Sequence, residues 1–377
     1  MFSNYKKKQN KLLQWKIEIN KDKYYSIILT LLILLNLIIF YYIYKTKDNK
    51  YKKNKHNIVE KFEAPSYNTL ISNWDNGSGF YSELGFKLNH YLYCKKYNIN
   101  YKTKSDAWPY KYKNGWTDYF KDVELKLNSN STIETTHIVQ GCCTILDKFQ
   151  IKDYVAIIPE YYKYQPEIQT IINKKKNDLG LINGDCDYGC IYIRRGDKLV
   201  NEINLINTNK FIEKLLLKYP ECKTIFLQTD DYNCFIDLQK YIKDNNLDIK
   251  PITLCPENIY GAVSNNSWMD SINNKLKDKK EDTNTKYLEK IINNLSKPIS
   301  EMTPDEKYAH TIELITSVDI CINSKYCVCD YKSNVSRFIK VAHKNIMNVF
   351  DVLDGDTLFD LENFQTISFD FDSEYNK

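Results

Sequence analysis

A chain of 377 residues is long enough for about two domains, and its formal net charge of +5 is unevenly spread. The first 61 residues hold 14 lysines against four acidic residues, so the rest of the chain carries more acid than base. A mildly acidic globular part excludes the basic face that a nucleic-acid-binding domain needs, so no nucleic-acid partner is expected.

Residues 1–23 form a lysine-bearing N-terminal tail. Residues 24–44 read YYSIILTLLILLNLIIFYYIY, 21 positions without a charge. As a helix this stretch would be ~31 Å long, enough to cross a bilayer, and tyrosines at both ends suit the two interfaces. It therefore reads as a transmembrane helix with the lipid bilayer as its partner. Seven lysines precede it and seven follow by residue 61, so charge does not orient it. A short tail, one span and a large C-terminal part is the type II, signal-anchor plan. That plan implies a single-pass membrane protein of a Golgi-like or other endomembrane, with its catalytic part lumenal. Residues 45–66 are lysine-rich and aperiodic, contain Pro65, and read as a stem.

The remainder divides into 67–185, 186–352 and a tail, 353–377. The first part opens with a strand over 68–74, a DNGSG turn and a helix from Phe80 to Tyr97. The aromatic run DAWPYKYKNGWTDYF, 106–120, fits a core better than a sugar-stacking wall. The second part alternates regularly. Strands are expected at 190–195, 224–229, 248–254, 326–329 and 346–352, and helices at 208–219, 232–245 and 333–344. A further helix is announced by a capping box from Thr303 to Glu306 with proline at its first position. A polar insert runs from about 255 to 300. Strands alternating with helices make this an α/β chain with a parallel sheet covered on both faces.

Eleven cysteines are irregularly spaced without a C-x-x-C pair, and no histidine lies near enough to suggest zinc. Disulfides are compatible with a lumenal setting. D-x-D pairs at Asp185/Asp187, Asp354/Asp356 and Asp370/Asp372 follow no convincing strand, so no metal site is expected.

Three polar clusters fall at strand carboxyl ends, where open parallel sheets bind ligands. They are Arg194 to Lys198, Thr229 to Asp231, and Asp330 to Asn334. An arginine pair leaving a core strand is costly to bury without an anion, and a guanidinium fork matches a diphosphate. Because strand side chains alternate, one arginine is expected to face the anion while the other pairs with Asp197. Ser333 and Asn334 would stand at a helix N-terminus, where N–H groups and the dipole attract phosphate. Glu202, on the loop after the strand, could take a proton from an acceptor hydroxyl. The bland alternatives are an ion-pair network of the arginines with Asp197, Asp230 and Asp231, and a solvated Glu202. Asp231 reads as a helix N-cap.

YIRRGDKLVNE, 192–202, resembles the R-R-x-D-K-x-x-x-E stretch of the core α1,6-fucosyltransferases and bacterial nodulation fucosyltransferases. IFLQTDD, 225–231, and VCDYKSNVSR, 328–337, are similar to that family's second and third motifs. The resemblance implies a GT-B fold, two Rossmann-like domains facing a cleft, with 67–185 on the acceptor side and 186–352 binding GDP-fucose. It implies an inverting, metal-independent transfer of fucose to a glycan hydroxyl, with no cofactor beyond the donor substrate. By the same resemblance Arg194 holds the β-phosphate with help from Ser333 and Asn334, Glu202 is the base with Lys198 beside it, and Asp319 reads the nucleoside. Tyr192 replaces the family's histidine at a phosphate contact, and Gly196 replaces a threonine. These departures leave two alternatives: a catalytically degenerate fold that binds glycans or nucleotide sugars, and a transferase of another sugar.

Overall fold

The computed structural model describes residues 68–74, 79–126, 136–140, 149–181, 187–201, 203–263, 266–278 and 282–353. The chain divides into two units, Met1–Ala64 and Pro65–Lys377, and every described residue belongs to the second.

Two all-parallel sheets organise that unit. In the first, β1 (Thr69–Asn73) lies between β2 (Asn100–Lys104) and β3 (Thr136–Gln140). Helix α1 (Phe80–Tyr97) connects β1 to β2 and ends in a left-handed Asn98, whose N–H donates back to the Cys94 carbonyl. The aromatic run after β2 is core, as its composition suggests: Trp108, Tyr110, Trp116, Tyr119 and Phe120 are all buried. Asp118 shapes its turn by accepting the N–H groups of Tyr112, Lys113, Asn114 and Gly115 at 2.9 Å. Helices α2 (Ile151–Tyr161) and α3 (Pro166–Asp178) complete this half, the latter with proline at its start.

The second sheet holds β4 (Gly189–Ile193), β5 (Thr224–Thr229), β6 (Lys250–Thr253), β7 (Tyr326–Cys329) and β8 (Val349–Asp351) in the order β6-β5-β4-β7-β8. Every residue of β4 is buried, as expected for a central parallel strand covered on both faces. Its side chains alternate. Ile191 and Ile193 pack under α4 (Thr208–Lys218) and α5 (Tyr232–Asp244), where Phe211, Leu215, Phe235 and Leu238 lie. Cys190 and Tyr192 face the opposite layer of α8 (Pro304–Ile322) and α9 (Asn334–Ala342), with Ile315, Val318, Phe338 and Ile339. Helix α9 also packs against α1 and α2 of the first half.

The polar insert is more ordered than its composition suggested. It contains α6 (Asn266–Lys277) and α7 (Thr283–Ile291), whose buried Ile272, Leu288 and Ile291 form a third apolar cluster with Leu199, Val200 and Ile203.

The membrane reading requires correction. Among the described residues no helix is long and apolar enough to cross a membrane. The two longest, α1 and α8, are 18 and 19 residues, but α1 carries Glu83, Lys87, Lys95 and Lys96, and α8 carries Asp305, Glu306, Lys307, Glu313 and Asp319. Such charges are expensive in hydrocarbon. Residues 24–44, with the tail 1–23 and stem 45–66, lie outside the described residues. The transmembrane helix, type II orientation, bilayer partner and lumenal endomembrane location are therefore withdrawn.

Among the described residues no disulfide forms. Their eight cysteines are free, buried thiols.

Candidate functional site

Strand order places a switch point between β4 and β7. The chain proceeds from β4 outward to β6 on one side, then returns to add β7 and β8 on the other. Ligands of open parallel sheets sit in the crevice beyond such a point. A cavity of about 680 Å³ occupies this crevice, and its wall includes Tyr192, Arg194, Asp230, Ser333 and Asn334 as well as Gly79 and Phe80 from the start of α1.

Arg194 is held from two sides. Its guanidinium pairs with Asp230, and its Nη2 lies 2.7 Å from Asp197 Oδ1. Burial works against its charge, but Asp230 and Asp197 outweigh burial and lift its pKa above the ordinary value. Asp230 is itself oriented by backbone N–H groups from Arg195, 2.7 Å, and Ala262, 2.8 Å. The alternation argument assigned Asp197 to the other arginine. Instead Arg195 turns away: its guanidinium donates to the Ile206 carbonyl and lines a separate cavity of about 490 Å³. One arginine both faces the crevice and carries the acid pair.

The turn that follows the two arginines is tight. Gly196 has φ +60°, and a Cβ there would lie 2.6 Å from the Ala262 backbone N. Gly261, at φ +145°, backs onto it, with its own Cβ position 2.9 Å from Gly196 Cα. The glycine in place of threonine is thus required by two loops crossing at backbone distance. The Asp197 N–H donates to the Ala262 carbonyl at 3.0 Å and locks the crossing.

Ser333 precedes α9 but makes no capping bond; its hydroxyl instead donates to the Tyr192 phenol at 3.4 Å. The first-turn N–H groups of α9 are left without a side-chain cap at the cavity wall. Asn334 Oδ1 is buried without a hydrogen-bond partner. Burial pushes the pKa of the Tyr192 phenol up.

Two cavity residues escaped sequence reading. His310 and Glu313 lie three positions apart on α8, so they share a helix face, and both line the cavity. Burial, aided by Arg194, lowers His310 to a pKa of about 4 and leaves it neutral near pH 7. Burial raises the Glu313 carboxyl, opposed by Lys175. The H-x-x-E spacing after the capping box was visible, but nothing in the sequence told which face of α8 meets the crevice.

Asp319 is placed elsewhere. It lies on the same helix but outside the cavity wall, in an ion pair with Lys176 at 2.9 Å that ties α8 to α3. Lys198 lines the cavity with its ammonium 5.2 Å from the centre of the Trp268 ring. Glu202 lies outside the described residues, between the described Asn201 and Ile203. Asp231 caps α5 by accepting from the Asn233 N–H at 3.0 Å, and it also accepts from the Tyr287 phenol. Of the D-x-D residues only Asp187 is described; it pairs with Lys325 at 2.8 Å. Among the described residues no group of three or more His, Cys, Asp or Glu is arranged to hold a metal ion.

No family model matches the sequence, and no curated protein matches it. Among solved structures, the fold is similar to a NodZ alpha-1,6-fucosyltransferase soaked with GDP-fucose, with 10 % identity and a TM-score of 0.46, covering 74 % of this chain and 93 % of that one. The fucosyltransferase NodZ from Bradyrhizobium gives 10 % identity and a TM-score of 0.43, covering 73 % and 93 %. A NodZ structure co-crystallised with GDP gives 10 % and 0.44, covering 73 % and 92 %. Likenesses this loose assign neither family nor activity.

Proposed function

We propose that this protein is a glycosyltransferase that moves a sugar, fucose from GDP-fucose, to a hydroxyl of a glycan acceptor with inversion at the anomeric carbon. The observation that carries the reading is the meeting of Arg194 with the uncapped start of α9 in one crevice at the switch point. A guanidinium and a helix N-terminus aimed at one place suit a diphosphate, and they stabilise it most as it leaves with its full charge. Asp197 and Asp230 fix the guanidinium before substrate arrives, so little reorganisation is needed when the bond breaks.

The acceptor oxygen attacks the anomeric carbon while the bond to the β-phosphate oxygen breaks, and that oxygen keeps the electron pair. The acceptor proton passes to a base, for which Glu202 on the loop beyond Lys198 is proposed. Asn334 Oδ1 offers an acceptor to a sugar or ribose hydroxyl. In place of Asp319, the Glu313 carboxylate is the acidic group positioned to accept N–H bonds from a guanine edge, beside a neutral His310. The donor identity and the α1,6-like linkage rest on the resemblance of the three motifs.

Calorimetry with GDP, UDP and CMP, followed by GDP release from GDP-fucose with N,N′-diacetylchitobiose or an N-glycan, tests the proposal. Arg194→Ala should lower turnover by about a hundredfold or more; unchanged turnover would overturn the mechanism. The second reading, a fold that binds without turnover, draws on the two carboxylates already engaging Arg194. GDP binding without product from any acceptor would favour it.

A further inference from the structure

The insert between β6 and α8 is bolted to the loop that follows Arg194. Asn284, on α7, donates its Nδ2 to the carbonyls of Leu199, 2.9 Å, and Ile203, 2.8 Å, while its Oδ1 accepts the Leu205 N–H at 2.8 Å. Lys275, on α6, donates to the Val200 carbonyl at 2.7 Å. These bonds straddle the position of Glu202 and lie over the apolar cluster that α6 and α7 share with Leu199, Val200 and Ile203. An arrangement that fixes one short loop from two helices holds more than a surface decoration requires.

Helix α6 presents Trp268 to the same cavity. The indole is half-buried and packs against that cluster, with the Lys198 ammonium over its ring. A tryptophan held this way offers a rigid, electron-rich face at little entropic cost, and the weakly positive C–H groups of a pyranose ring suit such a face. The attraction of Lys198 to the indole fixes the ring beside the loop that carries the proposed base.

We infer that α6 and α7, in place of the 67–185 part that the resemblance put on the acceptor side, form the acceptor wall of the site, with Trp268 as the platform on which an uncharged pyranose of the acceptor stacks. The inference rests on the transferase reading and adds to it the side from which the acceptor enters and the chemistry that grips it. Asn284 is then a positioning residue, acting through the loop rather than on substrate.

The test titrates the intact protein, without donor, against neutral gluco-, galacto- and N-acetylhexosaminyl disaccharides, following tryptophan fluorescence and heat. GDP is titrated in parallel. The wild type should bind at least one disaccharide. Trp268→Ala should weaken that binding by about tenfold or more, and Trp268→Phe by about threefold or less, with GDP affinity unchanged in both. Unchanged GDP binding also certifies the fold of the variants. Disaccharide binding that survives in Trp268→Ala would overturn the inference, as would weakened GDP binding with disaccharide binding intact, which would make the indole a base-stacking group. A wild type that binds GDP but no disaccharide sinks the acceptor wall and leaves the donor reading standing. Disaccharide binding without GDP binding does the reverse. In the presence of both substrates, Asn284→Ala should lower kcat with little change in the GDP constant; a purely structural role would instead move both together.

Discussion

At the scale of single residues, the Gly196 crossing shows how much function hangs on one missing side chain. A threonine there, as in the resembling family, would meet the Ala262 backbone and would have to adopt a positive φ. Gly196→Thr is expected to destabilise the protein by ~3 kcal/mol or to push the two loops apart. Urea unfolding reads the first outcome, and lost GDP binding with near-normal stability reads the second. A variant with wild-type stability and affinity would show that the crossing is not tight. The same neighbourhood marks the limit of sequence reading. The R-R-G-D run announced a charged rim, and Asp231 was legible as a cap. Alternation alone did not say which arginine faces the crevice, because it fails once the chain leaves β4 and turns at a glycine; the resemblance of the motif named Arg194, which lines the cavity. Asp319 and Glu313 illustrate the same limit. They are six residues apart on α8, and only the packing of α3 against that helix shows that one is taken by Lys176 while the other faces the cavity.

At the scale of elements, the most legible helix was α8, because its start is written in local chemistry. Thr303 Oγ1 accepts the Glu306 N–H at 3.3 Å, and Glu306 accepts the Thr303 N–H at 2.6 Å, with Pro304 at the first position. Thr303→Ala should cost about 1 kcal/mol in stability. Because this helix carries His310 and Glu313 some two to three turns further on, GDP affinity should change much less than stability. Denaturant titration with and without GDP separates the two, and an equal loss in both would mean that the helix start reaches the site. The buried strands of the second sheet were equally readable, since their apolar runs are short and bounded by turns. Strands β2 and β3 were not read. NYKTK, for β2, is largely polar, and it gains strand form from pairing with β1 rather than from its own composition. The helices of the insert were missed for a related reason: within strongly polar sequences α6 buries only Ile272, and α7 only Thr285, Leu288 and Ile291.

At the scale of the whole molecule, His90 and His343 are buried and His310 is half-buried at the cavity, all three in neutral form. Burial lowers His90 to about 3, and His310 and His343 to about 4. Their unfolded pKa is about 6.5, so between pH 6.5 and 4 the unfolded chain binds more protons than the native one. Stability from these groups is therefore complete above about pH 6.5 and is lost as pH falls toward 4. Asp330, Glu313 and Asp231, raised by burial, act in the opposite sense. The midpoint of urea unfolding is expected to fall on acidification through this window. His343, whose Nδ1 accepts the Asn345 N–H at 3.0 Å, should account for about 3 kcal/mol of the change. His343→Gln should flatten the profile, and a profile as steep as the wild type would refute the assignment.

The aromatic run between β2 and α2 leaves an optical mark on the molecule. Trp74 and Trp116 stack with centroids 4.7 Å apart and rings inclined by 25°, and Phe120 continues the stack 4.1 Å beyond Trp116. Indoles this close couple their excited states, so the first half should show a paired positive and negative band in circular dichroism near the strong indole absorption. Trp116→Phe should weaken and reshape the doublet, leaving the part that comes from Trp74 and Trp108, whose centroids are 4.9 Å apart. Because Trp268 stands in the other half, the doublet and the saccharide-sensitive emission would report melting of the two sheets by separate colours of light, in one sample and without any label.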